Sequence, residues 1–311
     1  MEKRPLCIAV EEWLTENKKN SVKPLTYDRL LIAYKLMLKY SISEWPVDQI
    51  DYRAMQRYIN SLVSDGYSMS TIKKQFNLLT AYWKFAMAQG EIATPVYLGV
   101  NLPSETAVTS PKREIETYSR REQKLLMNAL MPLDKEQYAV IILMLETGMR
   151  IGEVLALRWS DILWGRKAVS VRGTLIRLSS EPTTYVQSTP KSKTSRRTIP
   201  LSENAYAVLE KLYGRKKPYD GDLIFARPDD ASLPYSYSSV EYHAKHVCKI
   251  LEIPYKGLHA FRHTFATNCY ERGCNVKILS KLLGHADVAI TYNIYIHLYG
   301  DALEEMRKAL G

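Results

Sequence analysis

The sequence has little that would suit a membrane or secreted protein. Its longest run of aliphatic residues, Ala139–Leu145, is far shorter than the ~20 apolar residues that span a bilayer. Near the N-terminus, Glu11 and Glu12 leave no room for the apolar core of a signal peptide. Only four cysteines occur among 311 residues, too few for a disulfide framework. We therefore expect reduced thiols in a cytoplasmic protein.

Motifs of several enzyme classes are also missing. No G-x-x-x-x-G-K-[ST] or G-x-G-x-x-G loop supports the use of ATP or a dinucleotide, and neither G-x-S-x-G nor H-E-x-x-H occurs. His259 and His263 are four residues apart on a predicted helix, which raises the alternative of a zinc site. However, Ala260 stands where a zinc protease has Glu, and Cys269 and Cys274 lack C-x-x-C spacing. We expect no metal and no cofactor.

The charge is unevenly distributed. The chain carries 43 Lys+Arg against 33 Asp+Glu, a formal charge of +10. Residues 1–110 hold 13 basic and 11 acidic side chains, whereas residues 111–311 hold 30 and 22. The segment Gln187–Lys217 alone has eight basic residues and two acids. Such a local excess favours a polyanionic partner. Charge alone is also compatible with a basic surface that only keeps the protein soluble.

Helical spacing of apolar residues dominates the first 95 residues and predicts a small helical domain. One helix is predicted after an N-cap at Thr26, and a second stops near Asp65. A third begins after Ser68 or Ser70 and ends at Gly90. Domain 1–95 is therefore predicted to be all helical.

Residues 96–114 contain prolines and small polar residues without a regular period, which predicts a linker. The second domain, 115–311, opens at Ser119 and Glu122, which form a capping-box sequence. A buried helix over Tyr138–Thr147 follows, and helices resume at Ser202 and at about Ser238. Between them, four short strands are predicted: Ala168–Val171, Thr174–Leu178, Tyr185–Val186 and Thr198–Leu201. The predicted fold is mainly α with a small antiparallel sheet.

Three segments contain arginine, histidine or tyrosine residues among apolar neighbours. They are Thr147–Glu153, Leu258–Thr264 and Leu282–His297. Taken alone, Arg150 could pair with Glu153 along one helix face, and each tyrosine could be a packing residue. The combination is far more specific than any of its parts.

Together these segments resemble the tyrosine recombinase (phage integrase) family, most closely the mobile-element integrases, over essentially the whole chain. Thr147-Gly-Met-Arg-x-x-Glu153 looks like the first family box, and His259-x-x-Arg262 looks like the second. Leu283-Gly-His285, followed by Ile294-Tyr-x-His297, looks like the closing segment. The resemblance implies an N-terminal core-binding (SAM-like) helical domain and a mixed α+β catalytic domain.

The resemblance also implies the catalytic set and its reaction. A tyrosine hydroxyl attacks a DNA phosphate, leaving a 3′-phosphotyrosyl link and a free 5′-hydroxyl, and a second strand reverses the step without metal or ATP. Tyr295 is the implied nucleophile, with Tyr292 as a rival that lacks a histidine two residues on. Lys191 is the implied acid that protonates the departing 5′-oxygen, and Lys193 is the alternative for this role. The implied catalytic residues are Arg150, Lys191, His259, Arg262, His285 and Tyr295.

Several partners follow from the same resemblance. Double-stranded DNA is the implied substrate, with phosphate contacts expected from Lys193, Arg196 and Arg197. A homo-oligomer is implied, with four subunits on two DNA sites, and no membrane. The stretch Asp301–Leu310 either docks on a neighbouring protomer or folds back on its own domain. Accessory DNA-bending or directionality proteins remain open.

The expected function is site-specific recombination that integrates or excises a mobile element. The alternatives are a Xer-type resolvase of chromosome dimers, a DNA inversion enzyme, and a catalytically silent DNA-binding relative. A type IB topoisomerase shares the chemistry, but the order of the motifs and the two-domain size argue against it.

Overall fold

The structure is a computed structural model, and it describes residues 4–108, 115–133, 135–178, 185–188, 196–285, 287–289 and 291. It divides into two compact units: residues 1–113 with 177–186, and residues 114–176 with 187–311. No helix in these described ranges is long and apolar enough to cross a membrane.

The first unit is a helical bundle. Its α-helices are α1 (Leu6–Glu12), which continues as a π-helical segment over Trp13–Lys18, α2 (Pro24–Met37), α3 (Tyr52–Ser64) and α4 (Met69–Ala88). The predicted end of the second helix near Asp65 and the predicted cap at Ser68 are confirmed. The cap predicted at Thr26 is wrong, because α2 begins at Pro24, a residue suited to the first helical position.

Residues 96–108, part of the predicted linker 96–114, pack against this bundle. Val96 is buried in the core, and Tyr97, Val100 and Val108 pack against it. The Gln56 side chain also bonds the backbone N–H of Asn101 at 2.7 Å and its carbonyl at 3.0 Å. These apolar residues follow no helical or strand period, so a pattern search does not find them.

The second unit is mostly helical with small sheets. Its helices are α5 (Arg120–Leu130), α6 (Glu136–Thr147), α7 (Ile151–Leu155), α8 (Glu203–Lys216), α9 (Tyr237–Ile250), α10 (Leu258–Glu271) and α11 (Val276–Leu283). The strands of the chain are β1 (Ile162–Leu163), β2 (Ala168–Val171), β3 (Thr174–Arg177), β4 (Tyr185–Ser188) and β5 (Arg197–Pro200). Of these, β1, β2 and β5 belong wholly to the second unit, whereas β3 and β4 extend into residues 177–186. The predicted fold class is confirmed.

The antiparallel sheet has the order β1-β2-β5, and β3 pairs with β4 separately. Val169 on β2 lies opposite both Ile162 and Ile199, so apolar side chains meet across the three strands. On β5, Arg197 and Ile199 share the inward face, because alternate residues of a strand point the same way. This register turns Arg197 toward the interior.

Helix α6 lies at the centre of the second unit. It packs against α8, α9 and α10, and its residues from Tyr138 to Leu145 are buried. A helix that is surrounded on all sides is hydrophobic all round, which explains the long aliphatic run Ala139–Leu145. The C-terminal end of α6 therefore delivers the turn that follows it to a fixed place beside α10.

Candidate active site

Arg150 is positioned by a tight turn at the end of α6. Gly148 caps the helix in the left-handed conformation, with φ of 65°, and a Cβ there would lie 2.4 Å from Phe265 Cδ1. Glycine is therefore required both for its backbone angle and for the close approach. Arg150 then precedes α7, with its side chain 36% exposed. The turn presents this guanidinium at the surface of an otherwise buried segment.

Glu153, with its side chain 6% exposed, lies between two arginines. Its Oε1 accepts from Arg150 Nη1 at 3.0 Å, and its Oε2 accepts from Arg197 Nη2 at 2.7 Å. Burial alone would raise the pKa of this carboxyl, but the hydrogen bonds and charge of Arg197, helped by Arg150, hold the pKa below its usual value. Glu153 is therefore ionised at neutral pH.

Arg262 comes from α10, one helical turn after His259, and is 3% exposed. Its Nη1 donates to the Gly148 carbonyl at 2.8 Å, and its Nη2 donates to the Leu283 carbonyl at 2.8 Å. The same Nη2 is 2.8 Å from Nε2 of His285. One buried guanidinium thus joins the turn after α6, helix α10 and the end of α11.

The contacts of His285 define where its proton lies. A guanidinium can only donate, so His285 Nε2 accepts from Arg262 and the neutral ring carries its proton on Nδ1. The Nδ1–H group donates a hydrogen bond of 2.7 Å to Oγ1 of the buried Thr291. The pKa of His285 is lowered to about 4, first by burial and then by the charges of Arg262 and Arg150. The ring is therefore neutral at neutral pH.

His259 stands at the exposed start of α10, with its ring centroid 5.7 Å from that of His263. Desolvation of the ring, followed by the charges of Arg262 and Arg150, lowers the pKa of His259. Both guanidinium groups therefore act on His259 and on His285, which places all four side chains in one site. A neutral His259 can accept a proton at pH 7. Within the described ranges, no group of three or more His, Cys, Asp or Glu could hold a metal ion.

The structure brings together four of the predicted catalytic residues, Arg150, His259, Arg262 and His285. The others, Lys191 and Tyr295, lie outside the described residues, as do the alternatives Lys193 and Tyr292 and the stretch Asp301–Leu310.

Of the predicted DNA contacts, Arg196 is exposed. Arg197, also predicted to contact DNA, is turned inward. Its side chain is 6% exposed and donates to Glu153 and to the Leu282 carbonyl.

Two residues of the site were missed as such by sequence reasoning. Arg197 alternates with the buried Ile199 on a strand, a period-2 signal that could have identified it as inward-facing. Thr291 follows His285 by six residues, and no local pattern marks it. Its role depends on the fold of the chain around α11.

Comparison with known proteins identifies the family to which this chain is similar. The Phage integrase family matches residues 117–301, and the Phage integrase SAM-like domain matches residues 7–101. A curated protein named tyrosine recombinase XerC-like, from Caldanaerobacter subterraneus, is 30% identical over 92% of this chain and 77% of its own length. The integrase of Staphylococcus phage L54a is 27% identical over 97% of this chain and 91% of its own length.

Solved structures show the same fold. The integrase of transposon Tn1549 in complex with transposon right end DNA has a TM-score of 0.81 at 20% identity, covering 99% of this chain and 100% of that one. The lambda integrase tetramer bound to a Holliday junction has a TM-score of 0.65 at 17% identity, covering 94% and 78%. With the catalytic family match spanning more than half of its residues, this chain belongs to the phage integrase family, the tyrosine-type site-specific recombinases.

Proposed function

We propose that this protein integrates and excises a mobile DNA element by cutting and rejoining strands through a 3′-phosphotyrosyl intermediate. The observation that carries the proposal is the convergence of Arg150, Arg262 and His285 from three separate segments around one site. The relatives support the choice of substrate, because they include a phage integrase and a transposon integrase solved with transposon DNA.

In this proposal the two arginines stabilise the transition state. A phosphoryl group under attack gains negative charge on its non-bridging oxygens, and guanidinium groups bind such oxygens with paired donors. Arg150 is open to a ligand on one side and oriented by Glu153 on the other. Arg262 is oriented by two backbone carbonyls, so its charge needs no rearrangement as the reaction proceeds. Both charges are thus set in place before DNA arrives.

His285 must change its hydrogen bonding to contact a phosphate. Its Nε2 accepts from Arg262 and its Nδ1–H points to Thr291, so in this arrangement no ring proton is directed at the site. We propose that a phosphate oxygen replaces His285 as the acceptor for Arg262 Nη2. The ring then takes up a proton, or moves its proton to Nε2, and donates to the same phosphate.

The remaining roles are assigned to residues by the family resemblance. Tyr295 is the nucleophile, and neutral His259 accepts its proton, because a phenol with a pKa of ~10 is almost wholly protonated at pH 7. Lys191, or alternatively Lys193, protonates the departing 5′-oxygen. Lys193 and the exposed Arg196 contact DNA phosphates outside the reacting centre.

The proposed assembly is a homotetramer that holds two DNA sites. The lambda integrase tetramer on a Holliday junction shares the fold of this chain and supports this arrangement. Accessory DNA-bending or directionality proteins are a further part of the proposal. DNA binding by several lysines and arginines makes affinity fall steeply with salt.

Covalent trapping tests the proposal. Nicked suicide duplexes that tile the DNA around the gene would be incubated with wild type, Tyr295→Phe and the matched control Tyr292→Phe, in EDTA and without ATP. We expect an SDS-resistant adduct with wild type and Tyr292→Phe, and none with Tyr295→Phe. An adduct that persists in Tyr295→Phe would reassign the nucleophile. Tight DNA binding without any adduct would favour a catalytically silent DNA-binding protein.

A second candidate, resolution of chromosome dimers, is favoured by one observation: the relative at 30% identity is named XerC-like. The position of the trapped site separates the two functions, provided that trapping is extended from the DNA around the gene to fragments of the whole genome. Sites at the two ends of a segment that contains the gene support a mobile element. A single site far from the gene, present in every strain, supports dimer resolution.

A further inference from the structure

Arg197 contacts both Glu153, beside the Arg150 turn, and the turn that precedes His285. None of the catalytic roles above uses it. We infer that Arg197 is a positioning residue for strand cleavage, which holds the Arg150 turn and the turn that carries His285 at a fixed separation. The inference rests on the proposed function, because it assigns a role within the same reaction.

On one side, Arg197 grips the carboxylate that orients Arg150. Its Nη1 donates to Glu153 Oε1 at 3.1 Å and its Nη2 to Glu153 Oε2 at 2.7 Å, a two-pronged contact. Both side chains are 6% exposed. Charge-assisted bidentate contacts of this kind define geometry as well as energy. Glu153 therefore cannot rotate away from Arg150 without breaking two further bonds.

On the other side, Arg197 holds the turn after α11. Its Nε donates to the Leu282 carbonyl. Gly284 has a φ of +68°, and a Cβ there would lie 2.8 Å from Arg197 Nη1. The guanidinium thus lies directly against the backbone one residue before His285. The left-handed backbone angle favours glycine at position 284.

Two buried arginines hold adjacent carbonyls of this turn. Arg197 reaches Leu282 from β5, and Arg262 reaches Leu283 from α10. Among the contacts described, loss of Arg197 would leave Arg262 as the one charged donor to the carbonyls of this turn, and Arg150 as the one cation on Glu153. A displacement of about 1 Å at a reacting group can lower a rate about 100-fold.

The neighbouring Arg196 provides a matched control. The two arginines are adjacent on the chain, but Arg196 is exposed and Arg197 is buried. A phosphate contact and a positioning contact leave different signatures. Loss of a phosphate contact reduces the salt dependence of DNA binding by about one charge. Loss of a positioning contact lowers the cleavage rate at saturating DNA.

The test compares Arg197→Met, Arg197→Lys and Arg196→Gln on the suicide duplex that gives the wild-type adduct. We expect Arg197→Met to cleave about 100-fold more slowly at saturating DNA, with an unchanged salt slope. Arg197→Lys keeps the charge but not the fork, so we expect only partial rescue. Arg196→Gln is expected to lower the salt slope. A lowered salt slope with a wild-type cleavage rate in Arg197→Met would overturn the inference.

A second measurement needs no DNA. The ring nitrogens of His285 can be followed by NMR in histidine-labelled protein, with His285→Gln for assignment, because the chain has only six histidines. We expect the His285 signals to move in Arg197→Lys and to stay in place in Arg196→Gln. Unmoved signals in a folded Arg197→Lys would contradict a positioning role. If wild type forms no adduct on any duplex, the proposed function fails, while this measurement still decides whether Arg197 holds the turn.

Discussion

The aromatic cluster in the core of the first unit and the charged site of the second are held together by different kinds of interaction. In the first unit, Trp13, Tyr82 and Trp83 pack edge to face with centroids 5.6 to 5.9 Å apart, and each is at most 2% exposed. In the second unit, Glu153 and Arg262 are only 5% and 3% exposed. They are held by ion pairs and hydrogen bonds.

This difference predicts different responses to mutation. Apolar packing has no strict direction and tolerates substitutions that preserve volume. A buried charge depends on each of its partners, because an unpaired charge in the interior is costly. Damage to the first unit should therefore lower stability, whereas damage to the charged site should change the chemistry as well.

The largest expected effect is on the reaction. Arg262→Ala removes a transition-state donor and should slow adduct formation about 1,000-fold at saturating DNA. Single-turnover trapping measures this rate. The control is Leu79→Ala, a fully buried residue of the first unit, whose rate per folded molecule should match wild type. Near-wild-type cleavage by Arg262→Ala would contradict the claim that damage to the charged site changes the chemistry.

The next effect is on stability. Glu153→Ala leaves two arginines without their shared carboxylate and should cost about 3–5 kcal/mol, similar to the ~2–5 kcal/mol of Leu79→Ala. The two losses should differ in how they are repaired. Adding Arg197→Met to Glu153→Ala should recover stability, because it removes a buried unpaired charge. Urea unfolding measures both, and a further loss in the double variant would contradict the ion-pair argument.

A smaller effect is expected at Thr291. Thr291→Val removes the acceptor for His285 Nδ1–H, a hydrogen bond of about 1 kcal/mol, so cleavage should slow about fivefold. The pH dependence of cleavage should also change, because the ring proton is no longer held on Nδ1. Thr291→Ser should restore both. An unchanged pH profile in Thr291→Val would argue against the assigned tautomer.

The mildest effect is the response to pH. Every histidine of the chain lies beyond residue 113, and the pKa values of His263 and His285 are both lowered to about 4, chiefly by burial. The unfolded chain, with histidine pKa near 6.5, takes up protons first as pH falls. Stability of the second unit should therefore decline from about pH 6.5 toward pH 4.

Hydrogen exchange read peptide by peptide separates the two units. Between about pH 6.5 and 5, protection should fall in the second unit and not in residues 4–108, after correction for the intrinsic exchange rate. His263→Gln should remove part of the decline. An equal decline in both units would show that histidines are not its source.

Local sequence determined much of the fold. The capping box of Ser119 and Glu122, the cap at Ser202 and the glycine that ends α6 were all predictable, because each depends on contacts within a few residues. The i,i+3 pair of Arg150 and Glu153 is local in the same sense. Helix α1 and the packing of residues 96–108 were missed, since both depend on a surface supplied by the rest of the bundle.

The sequence by itself determined the family, the order of the motifs and the residue types of the site. Only the tertiary structure decided which partners the inward-facing basic residues meet. Arg197 and Glu153 are 44 residues apart in the chain, and Arg262 meets a carbonyl 114 residues away. No local pattern encodes such pairs, because a buried charge is stabilised only by partners that folding brings to it. For that reason the strand period can mark Arg197 as inward-facing and Arg196 as outward-facing, but only the folded protein brings Glu153 to Arg197.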